Sequence, residues 1–197
     1  MRKTNLFFKR LVDIIGSLSG IIFLFPLFII TAIFIKNTMP GPIFFIQERV
    51  GKDMKVFKIF KFRTMKVDEE AERLLDWSKD EERLTKTGII LRRLKIDELP
   101  QLLNVFRGDM SLVGPRPTVE EQVNKYTKHQ MIRLRMKPGM TGLAQVSGNT
   151  SLSWEKRIKY DIDYIKVFSI VLDFKILIKT IAIVIFGEEK FRKDIIN

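Results

Sequence analysis

From residue 14 to residue 35 the chain carries no charged side chain, and most of those 22 positions are Ile, Leu or Phe. Coiled as a helix at about 1.5 Å per residue, the run is long enough to cross a hydrocarbon layer of about 30 Å. A cleaved signal peptide is not expected, because the run is long and no small-residue cleavage site follows it. A single-pass anchor is the plainest expectation, but two features oppose it. Pro26 stands near the middle of the run; it removes one backbone donor and clashes one turn back, so a kink or break is expected there. Both flanks are also basic, with Arg2, Lys3, Lys9 and Arg10 before the run and Lys36, Arg49, Lys52 and Lys55 after it. Lys and Arg favour the cytoplasmic side, so both ends belong on one side of a membrane. A helix that enters the bilayer, turns at Pro26 and leaves again satisfies both features.

The 197 residues suffice for one domain with a core of its own beside this segment. A formal net charge of +12 suits an anionic partner, whether nucleic acid, anionic bilayer or phosphorylated substrate. No nucleic-acid motif is present, and the phenylalanines cluster in the apolar N-terminal segment. The absence of cysteine excludes disulfides, thiol nucleophiles and cysteine-based zinc sites, and a single histidine, His129, excludes a multi-histidine metal site. Catalysis in such a chain falls to carboxylates, lysines, hydroxyls or a hard metal ion.

The fold class expected is α+β and mostly helical. Turn chemistry at Met39-Pro40-Gly41-Pro42 ends the apolar segment, which divides the chain into a membrane helix over 1–38 and a catalytic domain over 39–197. Residues 43–47 and 56–62 read as short strands of a small hairpin. The acidic stretch 67–82 reads as a solvated helix and turn, away from the site. Residues 88–107 read as helical, in one or two pieces, because Leu99, Leu102, Leu103 and Phe106 mark one buried face and Arg107-Gly108 makes a helix end. A second helix is expected over 118–136, a loop over 137–142, and one or two helices over 153–186. The last, 170–186, is apolar apart from Asp173, Lys175 and Lys179, which suits a core or interfacial helix better than a span.

Chemistry concentrates at Asp97-Glu98-Leu99-Pro100. If Asp97 caps a helix, Pro100 falls in its first turn, where a missing donor costs nothing. The helix dipole then favours both charged carboxylates, and the free N–H groups can receive phosphate. Adjacent residues do not share a face, so the two acids can take different roles. Equally, Asp is a common cap and Glu a common first-turn residue, with no chemistry implied. The surroundings are basic: Arg92 and Arg93 precede the pair, and Arg116 lies beyond it between Pro115 and Pro117. Rigid flanking prolines would aim that guanidinium as a bidentate phosphate clamp, or merely shape a surface turn. Lys61-Phe62-Arg63-Thr64-Met65 offers two cations and a hydroxyl at a strand end, or a lysine-protected edge.

At these residues the chain resembles the bacterial sugar transferases, the monotopic phosphoglycosyl transferases. The matching stretches are Gly41-Pro42-Ile43-Phe44-Phe45, Gln47-Glu48-Arg49-Val50-Gly51, Phe60-Lys61-Phe62-Arg63-Thr64-Met65, Asp97-Glu98-Leu99-Pro100-Gln101 with Asn104-Val105, Gly108-Asp109-Met110-Ser111-Leu112-Val113-Gly114-Pro115-Arg116-Pro117, and Lys137-Pro138-Gly139-Met140-Thr141-Gly142-Leu143-Ala144-Gln145-Val146. They run in the family's order over nearly the whole chain, and the length resembles the minimal single-domain branch. The resemblance implies transfer of a sugar 1-phosphate from a UDP-sugar to a polyprenol phosphate, undecaprenyl phosphate in bacteria, as the first membrane step of glycoconjugate synthesis. It implies Asp97 as the nucleophile that forms a covalent phosphosugar enzyme, with Glu98 assisting through magnesium or the incoming lipid phosphate, and Mg2+ held by Asp97 and Glu98. Phosphate or substrate binding falls to Arg116, with Lys61, Arg63 and Arg92 as weaker candidates, and Asp161 matches a family position near the site. The family's N-terminal helix is re-entrant and broken at a proline, here Pro26, in the plasma membrane with the active site on the cytoplasmic face. Interfacial amphipathic helices and membrane lipids belong to the same picture, and a homodimer is an open option. Two positions depart from the family pattern: Phe25 stands where the minimal branch usually has Ser, and Lys95-Ile96 where Ser-Leu is more usual. The competing expectation is a non-catalytic basic scaffold bound to a membrane.

Overall fold

A computed structural model of the chain describes residues 3–68 and 80–187. It is mostly helical, with two small two-stranded sheets. Helix α1, Lys3–Thr38, holds the whole apolar run. The helix continues through Pro26, where the sequence led us to expect a kink or break. The proline removes one donor from the ladder, and the turns on either side carry on.

One face of α1 lies against the rest of the chain, and small residues let it approach. A Cβ on Gly16 would come within 2.7 Å of Leu112 Cδ1, and one on Gly20 within 3.1 Å of Leu102 Cδ1. Between them Ser17 is fully buried and donates to the Asp13 carbonyl at 2.6 Å. Asp13, a charge in the first half of the helix, accepts from Leu112 N at 2.8 Å and Ser111 Oγ at 2.9 Å. Arg10 donates to the Val105 and Phe106 carbonyls, and Lys9 to the Val113 carbonyl. Past Pro26 the contact resumes: Ile35 and Met39 form a buried cluster with Phe62 and Leu91, flanked by Phe28 and Ala32.

The expected hairpin is present. Strand β1, Phe44–Val50, pairs antiparallel with β2, Val56–Phe62, from Phe44 opposite Phe62 to Val50 opposite Val56. Alternation turns Phe45, Gln47 and Arg49 inward and leaves Phe44, Ile46 and Glu48 exposed. Most of the acidic stretch expected as a solvated helix lies outside the described residues; its end forms a single turn, α2, Asp80–Arg83. Helix α3, Lys86–Arg93, is capped by Thr85 Oγ1, which accepts from Gly88 N at 2.9 Å. Residues 88–107 are helical in three pieces: the end of α3, a 3₁₀ turn at Ile96–Glu98, and α4, Gln101–Arg107. Gly108 ends α4 in the left-handed region at φ 98°, as Arg107-Gly108 led us to expect.

The helix expected over 118–136 does not form as one element. It is a short turn α5, Glu120–Val123, and a 3₁₀ segment, Gln130–Arg135. The interruption lets Val123 and Leu134 pack on Val50 while Arg133 turns inward. The loop expected over 137–142 contains a strand. There β4, Gly139–Thr141, pairs in parallel with β3, Ser111–Val113. Glycines make this pairing possible: a Cβ on Gly139 would lie 2.1 Å from Gly114 N, and one on Gly142 2.1 Å from Gly114 O.

After α6, Leu143–Val146, two longer helices follow, α7, Trp154–Val167, and α8, Ile170–Phe186. Tyr164, Ile165 and Phe168 join Val113, Met136, Val146 and Ile176 in a buried cluster. The outer side of α8 exposes Val171, Phe174, Ile178, Ile181 and Ile185, an apolar stripe at helical spacing. With the outer face of α1, including Ile22, Phe23, Ile30 and Phe34, and with Ile89 and Ile90 on α3, it leaves far more apolar surface bare than a soluble monomer shows.

Candidate active site

The pair that drew attention in the sequence occupies the 3₁₀ turn between α3 and α4. Lys95 enters this turn in the left-handed region, at φ 56° and ψ 18°. Asp97 does not cap a helix, contrary to expectation. The residue before α4 is Pro100, and no side chain caps that end. The turn is fixed from below by Asn104, which is fully buried. Its Oδ1 accepts from Phe60 N at 3.1 Å and its Nδ2 donates to the Lys58 carbonyl at 2.7 Å. Helix α4 is thereby locked to the free edge of β2, and the Asp-Glu turn is carried to the mouth of the hairpin.

A cleft of about 370 Å³ opens there, lined by Asp97, Glu98 and seven cationic side chains. Four of these cations, Lys61, Arg63, Arg92 and Arg116, were picked out from sequence. Arg49, Arg83 and Lys95 were not. The period-two spacing of Phe45, Gln47 and Arg49 was the signal for the first of them.

The neighbouring acids meet opposite environments. Glu98 Oε1 accepts from Lys61 Nζ at 2.9 Å and from Arg116 Nη2 at 3.1 Å. Burial works against its charge, but Arg116 and Lys61 prevail and hold its carboxyl at about 2. Asp97 is buried, and its Oδ1 has no hydrogen-bond partner. Desolvation, together with the neighbouring charge of Glu98, pushes the Asp97 carboxyl above its ordinary range, against the pull of Lys61, Arg92 and Lys95. One acid is therefore neutralised and fixed, and the other is left without a structural bond on one oxygen.

The remaining candidates divide. Arg92 donates to Thr64 Oγ1 at 3.0 Å and to Met65 Sδ at 3.1 Å, at the cleft wall. Arg63 lines the cleft, but its fork donates to the Met39 and Pro40 carbonyls at 2.7 Å each, joining the end of α1 to the hairpin. Asp161 is not at the cleft. It is buried on α7 and accepts from Arg133 Nη2 at 2.5 Å, while the same nitrogen donates to the Arg116 carbonyl at 2.9 Å. Arg133 also lies over the Tyr126 and Trp154 rings, with its guanidinium carbon 5.6 Å from each centroid. Arg133 was not foreseen, since nothing in the sequence marks it off from other basic residues.

Among the described residues no three His, Asp or Glu side chains gather as a metal site. Magnesium does not require three, because it commonly takes one or two carboxylates with substrate phosphates and water. The unpartnered Oδ1 of Asp97 beside Glu98 fits that use.

Residues 4–187 match the family model of the bacterial sugar transferases. The chain is 43% identical over 185 residues to the UDP-glucose:undecaprenyl-phosphate glucose-1-phosphate transferase of Klebsiella pneumoniae, covering 90% of this chain and 40% of that protein. It is 42% identical over 180 residues to the uncharacterized sugar transferase EpsL of Bacillus subtilis, covering 91% and 88%. It is 41% identical over 187 residues to a UDP-N-acetylgalactosamine-undecaprenyl-phosphate N-acetylgalactosaminephosphotransferase of Aeromonas hydrophila, covering 92% and 44%. The chain thus spans less than half the length of two of these relatives and most of the third.

Proposed function

This chain belongs to the bacterial sugar transferase family, and from that premise we propose that it moves a sugar 1-phosphate from a UDP-sugar to undecaprenyl phosphate through an ester on Asp97. One observation carries the reading: in a cleft rich in cations, Glu98 is neutralised by Lys61 and Arg116 while Asp97 keeps an oxygen with no partner. Asp161 Oδ1 is unpartnered as well, but that acid is held by Arg133 away from the cleft, whereas Asp97 lines the cleft.

In the first step an Asp97 oxygen attacks the phosphorus that bears the sugar. The bond to the bridging oxygen breaks, and uridine monophosphate leaves with that electron pair. In the second, an oxygen of the lipid phosphate attacks the same phosphorus, the aspartyl oxygen–phosphorus bond breaks, and the carboxylate returns. Lys61, Arg92 and Arg116 offset the negative charge that accumulates when an anion attacks an anion. Arg63, already forked onto carbonyls, serves the scaffold. Magnesium bound by Asp97, Glu98 and the substrate phosphates would supply further neutralisation.

The bare apolar faces of α1 and α8 favour insertion into one leaflet. Contacts to the same body run along α1 from Lys9 to Ile35, over about 39 Å at the rise of a helix. A helix crossing straight to the far side would leave that body behind. We read α1 as monotopic, with both of its ends and the cleft on the cytoplasmic face, where nucleotide sugars are made. The non-catalytic scaffold reading gives no reason for an unpartnered Asp97 oxygen.

The test is a trap. Incubating the protein with UDP-sugar radiolabelled in the phosphate next to the sugar, without lipid acceptor, should label Asp97 and release uridine monophosphate in equal amount. Full turnover by Asp97→Asn would remove the nucleophile assignment.

A further inference from the structure

A second cavity, of about 180 Å³, lies behind Glu98 and Arg116, and its far wall is helix α8. It shares Lys95, Glu98, Arg116 and Asn149 with the main cleft, and Asp97 lines only the main cleft. Its walls grade from polar to apolar. Lys95, Glu98 and Arg116 stand at the end next to the cleft, and Leu99, Met140, Val146, Ile183 and Val184 make up most of the rest. The Thr141 and Thr180 hydroxyls, which would otherwise be polar blemishes, hydrogen-bond to each other at 2.7 Å, and Thr180 Oγ1 also lies 2.8 Å from the Ile176 carbonyl. One polar group stays unsatisfied: both the Nε2 and the Oε1 of Gln145 are buried without a partner. A buried amide of that kind calls for a ligand or a water.

We propose that this cavity seats the phosphate end and first isoprenoid unit of the polyprenyl phosphate acceptor, with Gln145 Nε2 donating to the acceptor phosphate. The inference rests on the transfer reaction proposed above and adds a separate door for the second substrate. Three features fit an anion on an apolar tail. The cations Arg116 and Lys95 stand at one end. The apolar wall is the inner side of α8, whose outer side is the bare stripe from Val171 to Ile185. The volume is below the roughly 300 Å³ of ordinary small-molecule pockets, which suits the head of a ligand whose remainder lies in lipid. The donor approaches Asp97 through the larger cleft, and the acceptor reaches the same phosphorus from the α8 side, past Glu98 and Arg116. No proton transfer is needed: the dianionic lipid phosphate becomes one half of a diphosphate as the Asp97 carboxylate is restored.

Two measurements on the full chain in nanodiscs test this. A polyprenyl phosphate bearing a diazirine on its first isoprene unit should crosslink to residues 140–146 and 180–184; labelling confined to other segments overturns the proposal, whether or not the Asp97 ester exists. Gln145→Leu and Val184→Trp should then raise the KM for undecaprenyl phosphate by about tenfold or more, with the burst of uridine monophosphate in its absence unchanged. A burst that falls in parallel, or an unchanged KM in both variants, overturns it as well. Phosphatidic acid at equal concentration should not protect the cavity from crosslinking; full protection would mean that the site takes any bilayer phosphate and not the acceptor. A wild-type protein that shows no burst sinks the ester on Asp97 and leaves the crosslink to decide the acceptor site.

Discussion

Arg133 reaches across 17 residues of sequence to donate to the carbonyl oxygen of Arg116 at 2.9 Å, and Asp161 holds the other side of the same guanidinium nitrogen. Burial lifts the Asp161 carboxyl to about 6 in spite of Arg133. Together they act as a strut behind Arg116, which meets Glu98 from beyond β3. Asp161→Asn leaves a buried guanidinium with a neutral partner and should cost roughly 3 kcal/mol of stability, read from thermal or denaturant unfolding. If the strut positions Arg116, the folded fraction should also show a raised KM for the UDP-sugar, with kcat changed less. A purely structural role would lower the active fraction and leave KM alone.

The Asp97 carboxyl titrates above the ordinary Asp value and Glu98 at about 2, so the acid limb of uridine monophosphate release should follow one proton, that of Asp97. Activity is present above the Asp97 pKa, where the nucleophile is ionised, and is lost as pH falls through it. The neighbours fix the direction in which variants move that limb. Lys61→Met removes a cation that lowers the Asp97 pKa and should shift the limb to higher pH. Glu98→Gln removes a charge that raises it and should shift the limb of the residual activity to lower pH. Shifts in the same direction would refute the assignment of the limb to Asp97.

What could be read from the sequence was whatever local chemistry determines. β2 spans the 56–62 read as a strand, Gly108 ends α4, and α7 and α8 fill the 153–186 read as one or two helices. The cleft cations Lys61, Arg92 and Arg116 were legible because each is pinned beside a strand end, a helix end or a proline pair. The misses are long-range. Nothing local says that Gly139–Thr141 pairs in parallel with Ser111–Val113, because that ladder exists through backbone contact at Gly114, Gly139 and Gly142. The helix expected over 118–136 gives way because Arg133 finds Asp161, Tyr126 and Trp154, partners as many as 28 residues away. Asp13 was unremarkable as a charge at the edge of an apolar run. Its two partners on β3 make it the anchor of α1.

Asn104 is the most exacting of the supporting residues. Asn104→Ala would orphan the Phe60 N–H and the Lys58 carbonyl at a buried edge of β2, and should destabilise the fold by about 3 kcal/mol. Asn104→Asp keeps the acceptor for Phe60 N but turns a buried carboxylate oxygen toward the Lys58 carbonyl and the Asp109 carboxylate, so it should cost at least as much as alanine. Equal stability of all three would mean that the hairpin does not depend on this bridge to hold the Asp-Glu turn.

The membrane path of α1 yields a prediction that needs no substrate. The chain has no cysteine, so single substitutions report on their own. Asn5 precedes the buried Lys9, Asp13 and Ser17, and Asn37 follows the buried Ile35; both lie in α1 close to its contacts with the rest of the chain. If α1 enters and leaves on the cytoplasmic side, Asn5→Cys and Asn37→Cys should both resist an impermeant thiol reagent in intact spheroplasts and both react after lysis. If α1 crosses as a straight span, one of the two should react from outside. The contacts from Lys9 to Ile35 argue for the first result: the straight-span alternative would have to break the Lys9–Asp173 ion pair at 2.6 Å or the Ile35–Phe62–Leu91 cluster to carry one end across. Each is buried, and losing a fully buried Ile alone costs on the order of 2 kcal/mol or more.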